Sequence, residues 1–340
     1  MSDPLTASQH TAERAAGPAA TIAPEKGRAT LAGHFRILRA DYWIKNVFVL
    51  PGIAVALIVF PQACRPDTLW KVLLGLIAAC LVASSNYVLN EVLDAPFDRL
   101  HPTKCNRPVP AGTVSIPLAY AQWMALMAAG VLLGWVVSSA LSLTLLSLWV
   151  MGCIYNIPPV RSKDVPYIDV LTEAVNNPIR MLIGWFMVGP NVVIPISLLF
   201  SYWMIGAYFM ALKRFAEFRH INDGIRAGRY RKSFRYYSEG RLLNSIIFYA
   251  SAAMMFFGAF AIRYRPELVL AFPFIAWVIA VYFNLSFKPD SAAASPERLY
   301  REGWLMVAVC VCSAVIIALM LIDIRFMHTF FSPSLPTAWH

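Results

Sequence analysis

Charged residues are scarce in this 340-residue chain, because only 14% of it is Asp, Glu, Lys or Arg, whereas 59% is hydrophobic. An average soluble domain is about 25% charged and about 45–50% apolar. A transmembrane helix needs roughly 20 mainly apolar residues. The chain has room for eight or nine such helices, and we predict an all-α polytopic membrane protein.

Cysteine motifs are missing as well. The six cysteines show neither a CxxC pair nor a zinc-finger spacing, and four of them lie in apolar runs. These spacings exclude a disulfide framework and a structural zinc site. We interpret the cysteines as small buried hydrophobic residues.

The first thirty residues lack the continuous apolar core of a signal peptide and are rich in Ala, Thr, Ser and Gly. We predict a disordered cytoplasmic tail over 1–33, a transmembrane catalytic domain over 34–325 and a short C-terminal tail over 326–340. A short amphipathic surface helix from His34 to Lys45 is the alternative at the end of the N-terminal tail.

Apolar runs separated by charged or Pro/Gly segments predict nine membrane spans, or eight if two closely joined runs merge. The predicted spans are 46–62, 70–93, 116–137, 140–157, 167–189, 192–212, 241–262, 268–287 and 303–323.

The basic residues are distributed unevenly between the two sides of these spans. With the N-terminus in the cytoplasm, 23 of the 29 Lys and Arg residues lie on the cytoplasmic side, five lie on the other side and Arg180 lies within a span. Short cytoplasmic loops carry the excess of Lys and Arg. This distribution predicts the orientation, and it explains the net charge of +10 without a nucleic-acid partner.

The first polar segment follows the second predicted span. Asn90, Asp94 and Asp98 are spaced four residues apart, so they project from one face of a helix. Two carboxylates and an amide oxygen suit Mg²⁺, which prefers oxygen ligands and is completed by substrate phosphates. Lys104 and Arg107 follow, and both suit phosphate oxygens. We predict a magnesium–diphosphate site here.

Proline alters the expected geometry of this segment. We expect Pro96 to interrupt the helix between the two aspartates, which would make the site half helix and half loop. The alternative is a helix end with solvated charges. The combination of Asn, two Asp, Lys and Arg at one membrane face favours the metal site.

A second polar segment lies in the fifth predicted span. On an unbroken helix, Asp169, Glu173, Asn176 and Arg180 form one stripe. Such a stripe in a membrane must face a cavity or a partner. An internal ion pair, for instance Glu173 with Arg180, is the alternative.

A third segment ends the sixth predicted span, where Lys213, Arg214 and Glu217 lie within one turn and are predicted to close over the pocket. The basic loop that follows is expected to contact anionic lipid.

These motifs resemble the UbiA superfamily of intramembrane prenyltransferases. Asn90-x3-Asp94-x3-Asp98 resembles its first acidic motif, and Asp169-x3-Glu173 resembles its second. Four stretches resemble the branch that transfers phosphoribosyl groups to polyprenyl phosphates. They are Trp43-Ile44-Lys45-Asn46, the run from His101 to Gly112, Asp169-Val170-Leu171 with Arg180, and Lys213-Arg214-Phe215-Ala216-Glu217. Glu91, Cys105 and Asn176-Asn177-Pro178 depart from the usual family pattern.

The resemblance implies about nine transmembrane helices around a central cavity in a bacterial cytoplasmic membrane. It implies Mg²⁺-dependent transfer from phosphoribosyl pyrophosphate to a polyprenyl phosphate drawn from the membrane lipid. Asn90, Asp94 and Asp98 would hold the metal, and Asp94, Asp98, Lys104 and Arg107 would be catalytic. The implied substrate-binding residues are Lys45, Asn46, Asn90, Tyr155, Lys163, Asp169, Glu173, Asn176, Arg180, Lys213, Arg214 and Glu217.

Two other functions remain open from the sequence. A prenyltransferase would use the same metal motif, with the lipid as donor rather than acceptor. A transporter or lipid-binding protein also accommodates polar stripes in a membrane. A homo-oligomer is compatible with the sequence.

Overall fold

The computed structural model describes residues 28–99, 104–189, 192–221, 232–288, 291–294 and 296–332, and within these ranges the regular structure is entirely helical. The α-helices are α1 (Leu31–Arg36), α2 (Leu50–Val59), α3 (Pro66–Asp98), α4 (Ile116–Val137), α5 (Ser139–Asn156), α6 (Ile168–Ala174), α7 (Asn176–Val188), α8 (Ile196–Ile221), α9 (Glu239–Tyr264), α10 (Phe272–Leu285), α11 (Gly303–Leu321) and α12 (Arg325–Phe330). A 3₁₀ helix, Ala40–Val49, leads directly into α2.

Eight helical segments of the described chain are long and apolar enough to cross a membrane. They are Leu31–Val59, Pro66–Asp98, Ile116–Val137, Ser139–Asn156, Ile196–Ile221, Glu239–Tyr264, Pro266–Leu285 and Gly303–Leu321. The predicted fold class, an all-α polytopic membrane protein, is confirmed.

The remaining predicted span, 167–189, is two short helices rather than one. α6 ends at Ala174, and α7 begins at Asn176. Pro178 explains the break, because proline lacks an N–H and its ring clashes with the carbonyl four residues earlier. Proline is tolerated in the first turn of a new helix, where the N–H has no intrahelical partner.

The broken pair lies at the centre of the bundle. α7 packs against α2, α3, α5 and α8, and α6 packs against α8. Two apolar cores surround them, one including Met181 and Trp185 of α7 and the other including Tyr208 and Phe215 of α8. The break therefore lies inside the protein rather than at its lipid-facing surface.

Both ends of the chain carry short helices close to the predicted tail boundaries. α1 begins at Leu31, three residues before the predicted domain start. Its His34 is buried and accepts a hydrogen bond from the Ser115 N–H at 3.2 Å, which attaches α1 to the start of α4. Residues 1–27 and 333–340 lie outside the described residues, as do His101 and the loop over 222–231.

Candidate active site at one end of the bundle

The predicted aspartate pair lies on the last turns of α3. Asp94 and Asp98 both belong to α3, so the prediction that Pro96 would end the helix between them is wrong. Pro96 lies three residues before the C-cap, Arg99, and its missing N–H removes one hydrogen bond from the final turn. The turn still closes, because the Arg99 N–H donates to the Ala95 carbonyl at 3.1 Å. Both carboxylates consequently project from a helix rather than from a loop.

Three cations surround the aspartate pair. Arg161 Nη2 lies 2.9 Å from Asp94 Oδ1, and Lys163 Nζ lies 2.5 Å from the same oxygen. Arg107 Nη1 lies 2.5 Å from Asp98 Oδ2. Arg107 and Lys163 were predicted from the sequence, whereas Arg161 was not. The position of Arg161 in the basic turn after α5, close to Lys163, could have indicated it.

Two asparagines join α3 to α5 beside these charges. Asn90 Nδ2 donates to Asn156 Oδ1 at 2.6 Å, and Lys163 Nζ donates to the same oxygen at 2.8 Å. With its amide nitrogen used in this way, Asn90 keeps its Oδ1 as an acceptor. Asn156 was missed from the sequence, although its neighbour Tyr155 was selected.

The donor set on α3 suits a divalent cation. Each aspartate uses one oxygen for a cationic side chain, while Asp94 Oδ2 and Asp98 Oδ1 accept no hydrogen bond from the described part of the chain. Carboxylate oxygens are the preferred ligands of Mg²⁺. The pair also lies at the C-terminal end of a helix, where the helix dipole favours positive charge. The residues present therefore fit a magnesium ion.

The loop after α3 is fastened to the helix by a buried carboxylate. Glu91 is 1% exposed, and its Oε1 accepts the Val109 N–H at 3.1 Å. Lys104 begins a 3₁₀ turn, and its backbone carbonyl accepts a hydrogen bond from the Arg107 N–H at 3.0 Å. Glu91, which departs from the usual family pattern, thus holds the loop that carries both predicted cations.

The second acidic motif surrounds a buried arginine, and we call these charged groups the Arg214 cluster. Arg214 is 1% exposed. Its guanidinium lies 3.2 Å from Asp169 Oδ2, 2.5 Å from Glu173 Oε2 and 3.1 Å from Glu217 Oε2. The prediction that Arg214 closes over a substrate pocket is not supported, because this guanidinium is already paired with three carboxylates.

Two tyrosines complete the Arg214 cluster. The Tyr155 hydroxyl donates to Glu173 Oε2 at 3.0 Å, and the Tyr237 hydroxyl donates to Asp169 Oδ1 at 2.6 Å. Burial, and then the neighbouring Asp169 carboxylate, raises the pKa of Tyr237, so the phenol stays protonated and remains a donor. Tyr237 was missed, because its segment is distant in the sequence from both acidic motifs.

The predicted stripe on the fifth span divides at the helix break. Asp169 and Glu173 face Arg214, whereas Arg180 Nε donates to Asn46 Oδ1 at 3.3 Å. Asn176 Nδ2 donates to the Glu173 carbonyl at 3.1 Å. The alternative ion pair between Glu173 and Arg180 is not formed, since Arg180 pairs with no carboxylate of the described residues. The single-helix periodicity failed here because the helix is not continuous.

Lys45 and Lys213, both predicted to bind substrate, lie within electrostatic range of each other. The ammonium of Lys45 is influenced by the positive charges of Lys213, Arg180 and Arg39. The structure therefore brings three predicted cations together and adds Arg39, which was not predicted.

A family model described as the UbiA prenyltransferase family matches residues 47–309. Among curated proteins, the decaprenyl-phosphate phosphoribosyltransferase of Mycobacterium tuberculosis is 31% identical over 233 residues, which are 68% of this chain and 74% of that protein. The decaprenyl-phosphate phosphoribosyltransferase of Mycolicibacterium smegmatis is 29% identical over 244 residues, 71% of this chain and 73% of that protein.

Solved structures share the fold. A UbiA homolog from Archaeoglobus fulgidus bound to DMAPP and Mg²⁺ has a TM-score of 0.63 and 17% identity, covering 84% of this chain and 99% of that chain. A UbiA homolog from Aeropyrum pernix has a TM-score of 0.56 and 18% identity, covering 82% of this chain and 98% of that chain. At these identities the likeness concerns the fold alone.

Proposed function

The chain belongs to the UbiA prenyltransferase family, and from this premise we propose that it transfers a 5-phosphoribosyl group from phosphoribosyl pyrophosphate to a polyprenyl phosphate. The family is one of membrane-embedded transferases, so the prediction of a multi-pass membrane enzyme is confirmed and a transporter is disfavoured. The phosphoribosyl reaction is supported by the two mycobacterial relatives, which are named for transfer to decaprenyl phosphate.

One observation of the geometry carries this proposal. At the same end of the bundle, the aspartate pair with its three cations is accompanied by Lys45, Arg180 and Lys213, which form no ion pair with the described carboxylates. A prenyl diphosphate has a single charged end. Phosphoribosyl pyrophosphate has a pyrophosphate at one end and a separate 5-phosphate at the other, so it requires cations in two places.

In the proposed reaction, an oxygen of the lipid phosphate attacks the anomeric carbon of the ribose. The new bond joins that oxygen to the carbon, and the bond from the carbon to the pyrophosphate oxygen breaks. The nucleophile is already anionic near pH 7, so the site needs no strong general base. Catalysis then depends on orientation of the reactants and on stabilisation of the leaving-group charge.

The residues of the aspartate pair would bind the leaving group. Asn90, Asp94 and Asp98 would hold Mg²⁺, which acts as a Lewis acid towards phosphate oxygens when bound. Arg107 and Lys104 follow α3 in the loop anchored by Glu91 and would donate to pyrophosphate oxygens. Arg161 and Lys163 hold Asp94 in place through its Oδ1, which leaves its Oδ2 for a metal ligand.

A prenyltransferase is the second candidate function, favoured by the description of the family as the UbiA prenyltransferase family. In that reaction the lipid carries the diphosphate and is the donor. The aspartate pair would bind it unchanged, and only the acceptor would differ. The two candidates are therefore distinguished by the identity of the donor.

An assay with purified protein tests the proposal. We expect labelled phosphoribosyl pyrophosphate to produce labelled lipid only when Mg²⁺ and polyprenyl phosphate are both present. A matched reaction with geranyl diphosphate and an aromatic acid tests the second candidate. Absence of both binding and turnover of phosphoribosyl pyrophosphate would overturn the phosphoribosyltransferase proposal.

Orientation in the membrane gives an independent prediction. With the proposed site at the cytoplasmic face of a bacterial inner membrane, Gly240 lies on the cytoplasmic side and Cys64 on the outside. Gly240 is exposed with open space around it, and Cys64 is exposed. In single-cysteine proteins, we expect Cys64 to react with an impermeant maleimide on intact spheroplasts. Gly240→Cys should react only after the membrane is opened, and the reverse labelling would refute the orientation.

A further inference from the structure

Four half-buried cations from three segments of the chain lie within electrostatic range of one another beside the Arg214 cluster. They are Arg39 before the first 3₁₀ helix, Lys45 within that helix, Arg180 of α7 and Lys213 of α8, and we call them the cation cluster. The charges of the other three each act on the ammonium of Lys45. None of the four lies within ion-pairing distance of a carboxylate in the described ranges, although 13 other pairs of the described chain involve Lys or Arg.

Aromatic rings hold two of these cations in position. The Arg39 guanidinium carbon lies 3.8 Å from the ring centre of Tyr42, and Lys45 Nζ lies 4.4 Å from the same centre. The Tyr87 ring packs edge-on against Tyr42 at 5.6 Å and lies 5.8 Å from Arg39 and 6.0 Å from Lys45. Cation–π contacts of this kind orient positive charges without neutralising them.

The carboxylate that acts on the cation cluster already has other partners. The Glu173 carboxylate acts on Lys45 but is bonded to Arg214 and Tyr155. Like charges brought together away from bulk water raise the free energy of the folded protein unless an anion compensates them. The cation cluster is thus preorganised to bind a multiply charged anion.

The backbone of Arg39 supports a functional reason for its position. Its φ of 52° and ψ of 51° lie in the left-handed region, which favours glycine or asparagine over arginine. Local backbone preference therefore does not explain an arginine at this position. The guanidinium instead stacks on the Tyr42 ring.

From this geometry we infer that the cation cluster, with the Tyr42 and Tyr87 rings, is a binding site for a phosphate monoester, separate from the aspartate pair that takes the pyrophosphate. The inference rests on the proposed function and assigns Arg39, Tyr42 and Tyr87 to the site. Two sources carry this chemistry, the 5-phosphate of the donor and the phosphate of the lipid acceptor. The 5-phosphate is the expected occupant, because the donor then has one charged end for each of the two groups of cations.

Arg39→Gly tests the site. Glycine accommodates the left-handed backbone more easily than arginine, so this variant removes the cation without introducing backbone strain. Calorimetric titration with ribose 5-phosphate should show a dissociation constant raised about tenfold or more, as for loss of a charged hydrogen bond. Titration with pyrophosphate and Mg²⁺ should change less than about twofold. Arg39→Lys should recover part of the affinity, and Arg36→Gln, an exposed position on α1, serves as the control.

Each outcome has a defined meaning. Selective loss of ribose 5-phosphate binding supports the site with the donor as its source, and a selective rise in KM for the polyprenyl phosphate supports it with the lipid as its source. Unchanged values for both ligands, or an equal loss of pyrophosphate binding, would overturn the inference. If the wild type shows no phosphoribosyl pyrophosphate turnover, the proposed function fails, while unchanged affinities of the variant for both ribose 5-phosphate and polyprenyl phosphate separately reject the site.

Discussion

Replacing Asp94 or Asp98 with asparagine is expected to lower turnover at least about a thousandfold while the protein stays folded in detergent. Asparagine keeps the volume of the side chain and removes the negative charge that attracts the metal. The chemistry supplied by a bound divalent ion is worth several kcal/mol, and each 1.36 kcal/mol corresponds to about tenfold in rate. The measurement is the initial rate of labelled lipid formation at saturating Mg²⁺.

The control for these variants lies on the same helix. Asp67→Asn at the opposite end of α3 also removes a carboxylate, one that pairs with Arg65 and Lys71 at the surface. Exposed pairs of this kind contribute little to stability. We expect activity within about twofold of the wild type in Asp67→Asn. Near-normal turnover in either Asp94→Asn or Asp98→Asn would remove the metal assignment.

Replacing Arg214 with methionine is expected to cause the largest loss of stability. The change leaves the carboxylates of Asp169, Glu173 and Glu217 without their shared cation inside the bundle. Removing one partner of a buried ion pair costs about 3–5 kcal/mol. The thermal midpoint in detergent should fall by about 10 °C, a value based on the sensitivity of mid-sized domains.

The neighbouring Lys213 provides the matched control. Lys213 is half-buried, belongs to the cation cluster and pairs with no carboxylate of the described chain. Lys213→Met should therefore leave the thermal midpoint within about 2 °C of the wild type, because a single like-charged neighbour is removed rather than a counterion. Its effect should instead appear as a raised KM for phosphoribosyl pyrophosphate.

Compensating changes distinguish stability from substrate binding at Arg214. Combining Arg214→Met with Asp169→Asn and Glu173→Gln should recover part of the lost thermal stability, because the uncompensated charges are removed together. An Arg214→Met protein with unchanged stability and a selectively raised KM for the donor would contradict the structural role. It would return Arg214 to the substrate-binding role expected from the sequence.

The helix ends predicted from the sequence were wrong at two prolines. One proline was expected to end a helix and did not, and the other was not expected to break a helix but did. Pro96 was expected to end α3 but lies within its last turn, where only one hydrogen bond is lost and Arg99 still closes the turn. Pro178 was not expected to break the fifth span, yet the chain restarts there as α7. Local sequence therefore locates the hydrogen bond that a proline removes, but it does not decide whether the helix ends there.

The contacts of Arg214 could not be predicted from the sequence, for a different reason. Its segment was predicted to carry charge at the end of a helix, and it does. The sequence contains no signal that Asp169, Glu173 and Glu217 would all turn towards the same guanidinium, because Arg214 and Asp169 are 45 residues apart. Tyr237 completes the cluster from a still more distant segment, and it lies in no recognisable motif.

The sequence by itself determined the membrane-spanning α-helical class, the family and the composition of the first acidic motif. These properties depend on apolar run length, charge asymmetry and four-residue spacing, all of which are local along the chain. Only the tertiary structure decided how the charges are divided. It paired the second acidic motif with Arg214 and left Arg39, Lys45, Arg180 and Lys213 without carboxylate partners in the described residues. The physical reason is that opposite charges pair according to their distance in space rather than along the chain. The break at Val175 and the packing of α8 therefore determine which charges pair.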